Sequence, residues 1–193
     1  MFISPQRKFV YVTDISTFRS DDTRVTHNFE HLSCFFPGLL ALGVNTLPLD
    51  DLQSAGINMA ELINNLQPKD RGGYEVLAEF SLADVHLWAA KAIAQTCYIT
   101  YADQPTGLGP EAISVRAGGK FGVTRWIDAL RDWNRHGRPG SPPGVGDIRP
   151  WSEDPKITDP KERDKAAIKR DYGVRNIAYY LRPEVGDLLN YAM

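Results

Sequence analysis

The residues best suited to chemistry in this chain are three glutamates far apart in sequence. Glu30 opens the stretch Glu30-His31-Leu32-Ser33-Cys34-Phe35-Phe36-Pro37-Gly38, a titratable pair directly before an apolar run that Pro-Gly interrupts. Glu111 ends Thr106-Gly107-Leu108-Gly109-Pro110-Glu111, and Glu184 ends Tyr180-Leu181-Arg182-Pro183-Glu184. Carboxylates at turns and at the mouths of apolar segments sit where burial and neighbours tune pKa. Grouped carboxylates are the signature of glycoside hydrolysis, in which one acid protonates the leaving oxygen and another carboxylate activates water or attacks carbon. Abundance argues the other way: in a chain with 24 Asp and Glu residues, three Glu near turns are by themselves ordinary surface groups.

Other chemistry-bearing residues carry less. His27 and His31 have the i, i+4 spacing that holds zinc on a helix, but no third ligand accompanies them. His86 and His136 read as surface or loop histidines. Trp126 and Trp133 have the type to stack on sugar rings, yet on one stripe of an amphipathic segment core packing is the better reading. Cys34 and Cys97 allow one bridge or two buried thiols, and sequence alone leaves both open.

The elements that must position these residues are mostly helical. Phe80 to Tyr101 is the longest periodic segment, with Ala83, Leu87, Ala90, Ala94, Cys97 and Tyr101 at helical spacing and Ser81 as its cap. Leu32 to Leu47 is apolar on most sides and predicts a buried helix, with Pro37 near its start and Pro48 past its end. Val123 to Trp133 predicts an amphipathic helix through Trp126, Ile127, Leu130 and Trp133. Met59 to Leu66 predicts a short helix inside a polar connection that Lys69-Asp70-Arg71-Gly72-Gly73 closes. Phe9 to Thr13 alternates weakly and predicts a short strand. His136 to Gly146 is too rich in proline and glycine for regular structure. Pro183 is placed to open a helix with Val185, Leu188, Leu189 and Tyr191 on its apolar side.

Composition excludes several classes. The chain of 193 residues is 42% hydrophobic and 24% charged, with a formal charge of −2 and a pI near 6.1. That balance gives no long-range attraction to nucleic acid or anionic lipid. The basic cluster from Lys161 to Arg170 is interleaved with Glu162 and Asp164 and reads as a solvated face. No stretch approaches the roughly 18 apolar residues of a membrane span, and Met1 to Lys8 does not read as a secretory signal.

The three glutamate segments also resemble, in order, three motifs of the class I α-1,2-mannosidases, glycoside hydrolase family 47. Phe29-Glu30-His31-Leu32-Ser33-Cys34-Phe35-Phe36-Pro37-Gly38-Leu39-Leu40-Ala41-Leu42-Gly43 resembles "DHLVCFLPGTLALG". Thr96-Cys97-Tyr98 with Thr106 to Glu111 is similar to "TCY…TGLSPE", and Tyr180 to Glu184 is similar to "LLRPETVESL".

The resemblance implies an all-α fold, an incomplete (α/α)7 barrel of about half the toroid with long loops and little β, formed by residues 1–193 as part of a catalytic domain. It implies removal of α-1,2-linked mannose from high-mannose oligosaccharides or N-glycoproteins, with inversion, in the endoplasmic reticulum or Golgi. Glu184 then matches the base, with Glu30 and Glu111 completing the carboxylate set; Arg182 and Asp187 match substrate contacts. Glu30 stands where the family usually has Asp, and Asp187 where it has a second Glu. Calcium is the implied cofactor, with its threonine contact and the general acid expected outside these residues, so the isolated chain is expected to be inactive. A non-catalytic glycan-binding quality-control protein on the same scaffold is the alternative.

Overall fold

The computed structural model describes residues 1–19, 22–66, 68–117, 122–146, 148–150 and 170–180. One long helix organises them. We label the strands β1 (Phe2–Ile3), β2 (Val10–Tyr11), β3 (Ile15–Arg19), β4 (Asp22–Val25), β5 (Asn28–Glu30), β6 (Gly109–Val115), β7 (Thr124–Arg125) and β8 (Tyr172–Tyr180). The helices are α1 (Phe36–Thr46), α2 (Met59–Asn64), α3 (Pro68–Leu77), α4 (Leu82–Ala102) and α5 (Trp126–Arg135).

α4, at 21 residues, starts as the sequence predicts. The Ser81 hydroxyl accepts the Asp84 N–H at 3.2 Å, satisfying one of the amide groups that a helix start leaves without a partner. Asp50 reinforces this start by accepting from Ser81 Oγ at 2.9 Å and from the Ala83 N–H at 3.3 Å. These bonds, the Ser81 one foremost, hold the Asp50 carboxyl below the usual carboxylate range. Along α4 the small residues Ala89, Ala90, Ala92 and Ala94 are buried and let neighbouring elements approach. α1 packs against it, and Thr96 Oγ1 ties it to β2 by donating to the Val10 carbonyl at 2.5 Å.

A disulfide joins Cys34, in the 3-10 helix His31–Phe35, to Cys97 of α4, with Cα atoms 5.9 Å apart. The open question between bridge and thiols is thereby decided for the bridge. Closing a loop across 63 positions constrains the unfolded chain by about 4 kcal/mol.

The expected all-α half-barrel is corrected by three antiparallel sheets among the described residues, with strand orders β2-β1-β7, β3-β4 and β5-β6-β8. Its physical reason is plain in β6, where Ile113 and Val115 are buried and Ser114 less so, the two-residue period of a half-buried strand. β8 begins Tyr172-Gly173-Val174, aromatic and β-branched, and pairs with β6 through two register shifts.

Two helix readings also change. The segment from Leu32 to Leu47 is not buried on most sides: Leu32 and Phe35 in the 3-10 helix and Leu39 and Leu42 in α1 are more than half exposed. Lys69 to Gly73 lies inside α3 rather than in a connection, with Pro68 at the helix start, where its missing N–H costs nothing. The strand at Phe9 to Thr13 is present but short, and the helix at Met59 ends at Asn64.

The core gathers Phe9, Tyr11, Phe29, Ile93, Ile113 and Leu130. Trp126 is 4% exposed, and its indole donates to the Pro143 carbonyl at 2.8 Å, so the core reading of this tryptophan holds. The Pro-Gly loop after α5 follows the core closely: Gly144, at φ +79, leaves no room for a Cβ beside Val10. Beneath the sheets, Arg7 donates to the buried Asp103 at 2.5 and 3.2 Å, and the Tyr172 hydroxyl donates to Asp103 at 2.8 Å. Asp171, also buried, accepts the N–H groups of Gln6 and Arg7 at 2.7 and 2.6 Å.

Candidate functional site

Strand alternation decides what Glu30 faces. In β5 the register pairs Asn28 with Ser114, Phe29 with Ile113 and Glu30 with Ala112. Phe29 and Ile113 are both buried, so Asn28 and Glu30 turn to the opposite face. There a small cleft of about 130 Å³ is lined by Val12, Thr13, Asp14, Asn28, Glu30 and Ser33. Glu30 is exposed, and as the residue preceding the 3-10 helix it makes no side-chain cap bond.

The other wall of the cleft runs alongside through the link between β4 and β5. There His27 has φ 55, a left-handed conformation uncommon for a residue other than glycine. Its carbonyl accepts the Val115 N–H at 2.8 Å, while its Nδ1 shares a 2.9 Å hydrogen bond with the Tyr11 hydroxyl. Beside it the Thr26 N–H donates to the Asp14 carbonyl at 3.1 Å, and the hydroxyls of Thr13 and Thr26 lie 3.1 Å apart. Burial lowers the His27 pKa and raises that of the Tyr11 hydroxyl, so both are neutral at pH 7.

His31, next to Glu30 in sequence, faces inward. It is 3% exposed, and its Nε2 shares a hydrogen bond with the Tyr101 hydroxyl, their rings edge-to-face at 5.3 Å. Tyr101 in turn lies flat under β6, where a Cβ on Gly109 would come within 2.5 Å of its ring. That close approach requires the glycine in Gly109-Pro110-Glu111. His31 thus anchors Glu30 to α4, and with His27 engaged elsewhere the pair does not form a zinc site.

Glu111 lies in β6 directly before Ala112, the register partner of Glu30, and is half-buried. The register of β6 against β8 shifts between Pro110 and Ala112 and again between Ala112 and Ile113, so simple two-residue alternation does not carry through Glu111. Glu184, Arg182 and Asp187 lie outside the described residues, as do the helix expected after Pro183 and the basic cluster from Lys161 through Lys169. Two of the three expected carboxylates are therefore brought to adjacent strands of one sheet, one register step apart.

Sequence reasoning missed Asp14, Asn28, Thr13 and Ser33. Asp14 directly follows the segment read as a strand, and Asn28 precedes Glu30 by two, the spacing that shares a strand face. Both signals were available, but neither is a motif.

No three His, Cys, Asp or Glu side chains among the described residues gather to hold a metal ion. No step is routed through the implied calcium. Nor is any described helix long and apolar enough to cross a membrane. A second, larger groove of about 530 Å³ lies between α2, α3 and the start of α4, lined by Leu49, Asp50, Tyr74, Leu77 and Phe80 among others, and contains none of the expected site residues.

Among comparisons with known proteins, the family model described as glycosyl hydrolase family 47 matches residues 2–192. No curated protein and no solved structure matches the chain. With a match of that extent, joined to a carboxylate held over a polar cleft, the chain belongs to glycosyl hydrolase family 47, a family of glycoside hydrolases of mannosidase type.

Proposed function

We propose that this chain recognises terminal α-1,2-linked mannose of high-mannose N-glycans, as part of a glycosidase active site that cleaves the linkage with inversion. The observation that carries the reading is the family match across residues 2–192 together with Glu30 set over a polar cleft. In an inverting reaction one carboxylate activates a water while an acid protonates the leaving oxygen. Glu184 is the proposed base, Glu30 and Glu111 complete the carboxylate set, and Arg182 and Asp187 contact sugar. Calcium dependence is part of the proposal, although the described residues do not supply its ligands. The Cys34–Cys97 disulfide supports an oxidising compartment such as the endoplasmic reticulum or Golgi.

The reading is tested by titrating the protein with α-1,2-linked and α-1,6-linked mannobiose, followed by NMR. Binding of the α-1,2 disaccharide at least about tenfold tighter, a difference of roughly 1.4 kcal/mol, is expected. No binding, or equal binding of both, removes the reading. Release of mannose that Glu184→Gln abolishes would strengthen the glycosidase assignment.

A further inference from the structure

We infer that Asp14 is a second substrate carboxylate, sharing with Glu30 and Asn28 the task of gripping the hydroxyls of one sugar ring. The inference rests on the proposed mannose reading and extends it to residues in none of the three motifs. Asp14 and Glu30 reach the same cleft from different elements: Asp14 from the end of the N-terminal segment, Glu30 from the end of β5. Between them lie the Asn28 amide and the hydroxyls of Thr13 and Ser33.

This lining is hydrogen-bonding chemistry. Two carboxylates and, among the described residues, no Lys or Arg disfavour an anionic ligand and suit a neutral one rich in hydroxyl donors. Each carboxylate accepts from a hydroxyl in a charge-assisted bond, roughly twice as strong as a neutral pair. Asn28 both donates and accepts, so it reads a ring hydroxyl in either sense. At about 130 Å³ the cleft is too small for an oligosaccharide and suits one edge of a single ring, the part a terminal residue presents.

Asp14 is also held for the role. Its carbonyl accepts the Thr26 N–H at 3.1 Å, and its neighbour Thr13 meets Thr26 through their hydroxyls. The backbone on both sides of the cleft is therefore tied through Thr26. Its carboxylate is exposed, so the side chain can meet a ligand without first leaving the core.

The test is the affinity of α-1,2-mannobiose for the parent protein and for Asp14→Asn, Asn28→Ala, Glu30→Gln and Glu75→Gln, with thermal midpoints measured alongside. Glu75 is an exposed carboxylate on α3 and does not line the cleft. We expect Asp14→Asn to weaken binding about tenfold at an unchanged midpoint, as loss of one charge-assisted bond does, and Glu75→Gln to leave it unchanged. Asp14→Asn within twofold of the parent, while Glu30→Gln weakens binding, overturns the inference and leaves the mannose reading standing. A parent protein that binds no mannobiose overturns both. Should Asp14→Asn not fold, Asn28→Ala carries the same expectation, and affinity within twofold in that variant overturns the inference.

Discussion

Two halves of this molecule are stabilised in different ways. The half built on α4 and its sheets is tied by long-range links: the Cys34–Cys97 bridge, the Arg7–Asp103–Tyr172 cluster, and Thr96 bonded to Val10. The segment from Asp50 to Phe80 is tied mainly locally. Its 3-10 helix Leu52–Ala55 and α2 bury no residue at all. What holds it are caps, Asp51 to Ser54 and Asn58 to Glu61, and Arg71 donating to the carbonyls of Asn64 and Leu66 at 2.8 and 3.1 Å. It joins the rest through Asp50, which accepts from Ser81 Oγ and the Ala83 N–H at the start of α4, through α3 against α5, and through Arg138, whose guanidinium lies 4.8 Å from the centre of the Phe80 ring. Few buried apolar contacts and exposed hydrogen bonds mark the end of a structure that opens first. The Glu30 cleft lies in the tied half and the larger groove in the loose one. Size is therefore a poor guide to the site here, because a groove between lightly packed helices is large for want of packing.

The greatest effect on this contrast comes from removing the bridge. The Cys34→Ala, Cys97→Ala protein should lose about 4 kcal/mol of unfolding free energy in urea titrations, with the midpoint for the α4 half moving towards that of the Asp50–Phe80 segment. Next comes Asp103→Ala, which leaves Arg7 facing a site without its carboxylate. Breaking such a pair costs about 3 kcal/mol, since the Asp103 side chain is fully buried and that of Arg7 only 11% exposed. Near-UV circular dichroism of Tyr172 and its neighbours should report the loss.

Asn58→Ala sharpens the contrast from the other side. It removes the α2 cap, worth about 1 kcal/mol, and should speed amide exchange within α2 and α3 while exchange in α4 stays unchanged. An equal acceleration in α4 would mean that the two halves open as one unit.

The smallest effect concerns pH. His86 is half-buried in α4, and its Nδ1 has no hydrogen-bond partner among the described residues. Burial depresses its pKa, as it does that of His27. Both imidazoles are neutral in the folded protein, and the unfolded chain takes up protons more readily. Stability is therefore fully present above about pH 6.5 and declines as pH falls through the unfolded and then the folded value. His86→Leu should flatten the thermal midpoint between pH 7 and 5 relative to the parent.

The sequence spoke most clearly where one period covered many residues. α4 declared itself through its apolar stripe and Ser81, and α5 through the Trp126-Ile127-Leu130-Trp133 face. β6 and β8 were hidden because β6 itself opens with Gly109-Pro110 and the two pair with register shifts, so neither shows a long clean alternation. α3 was hidden by Gly72-Gly73, which helix propensity disfavours but packing against α5 overrides. Glu30 was legible through its motif. Asp14 stands in no motif: it reaches the cleft of Glu30 beside His27, whose positive φ no spacing rule announces.

Backbone chemical-shift mapping with α-1,2-mannobiose tests the central claim most directly, because both depressions are observed in one titration. The account predicts shifts centred on Asp14, Asn28, Glu30 and Ser33, with Tyr74, Leu77 and Phe80 unmoved. Shifts centred on Tyr74, Leu77 and Phe80, with the Glu30 cleft silent, would contradict it.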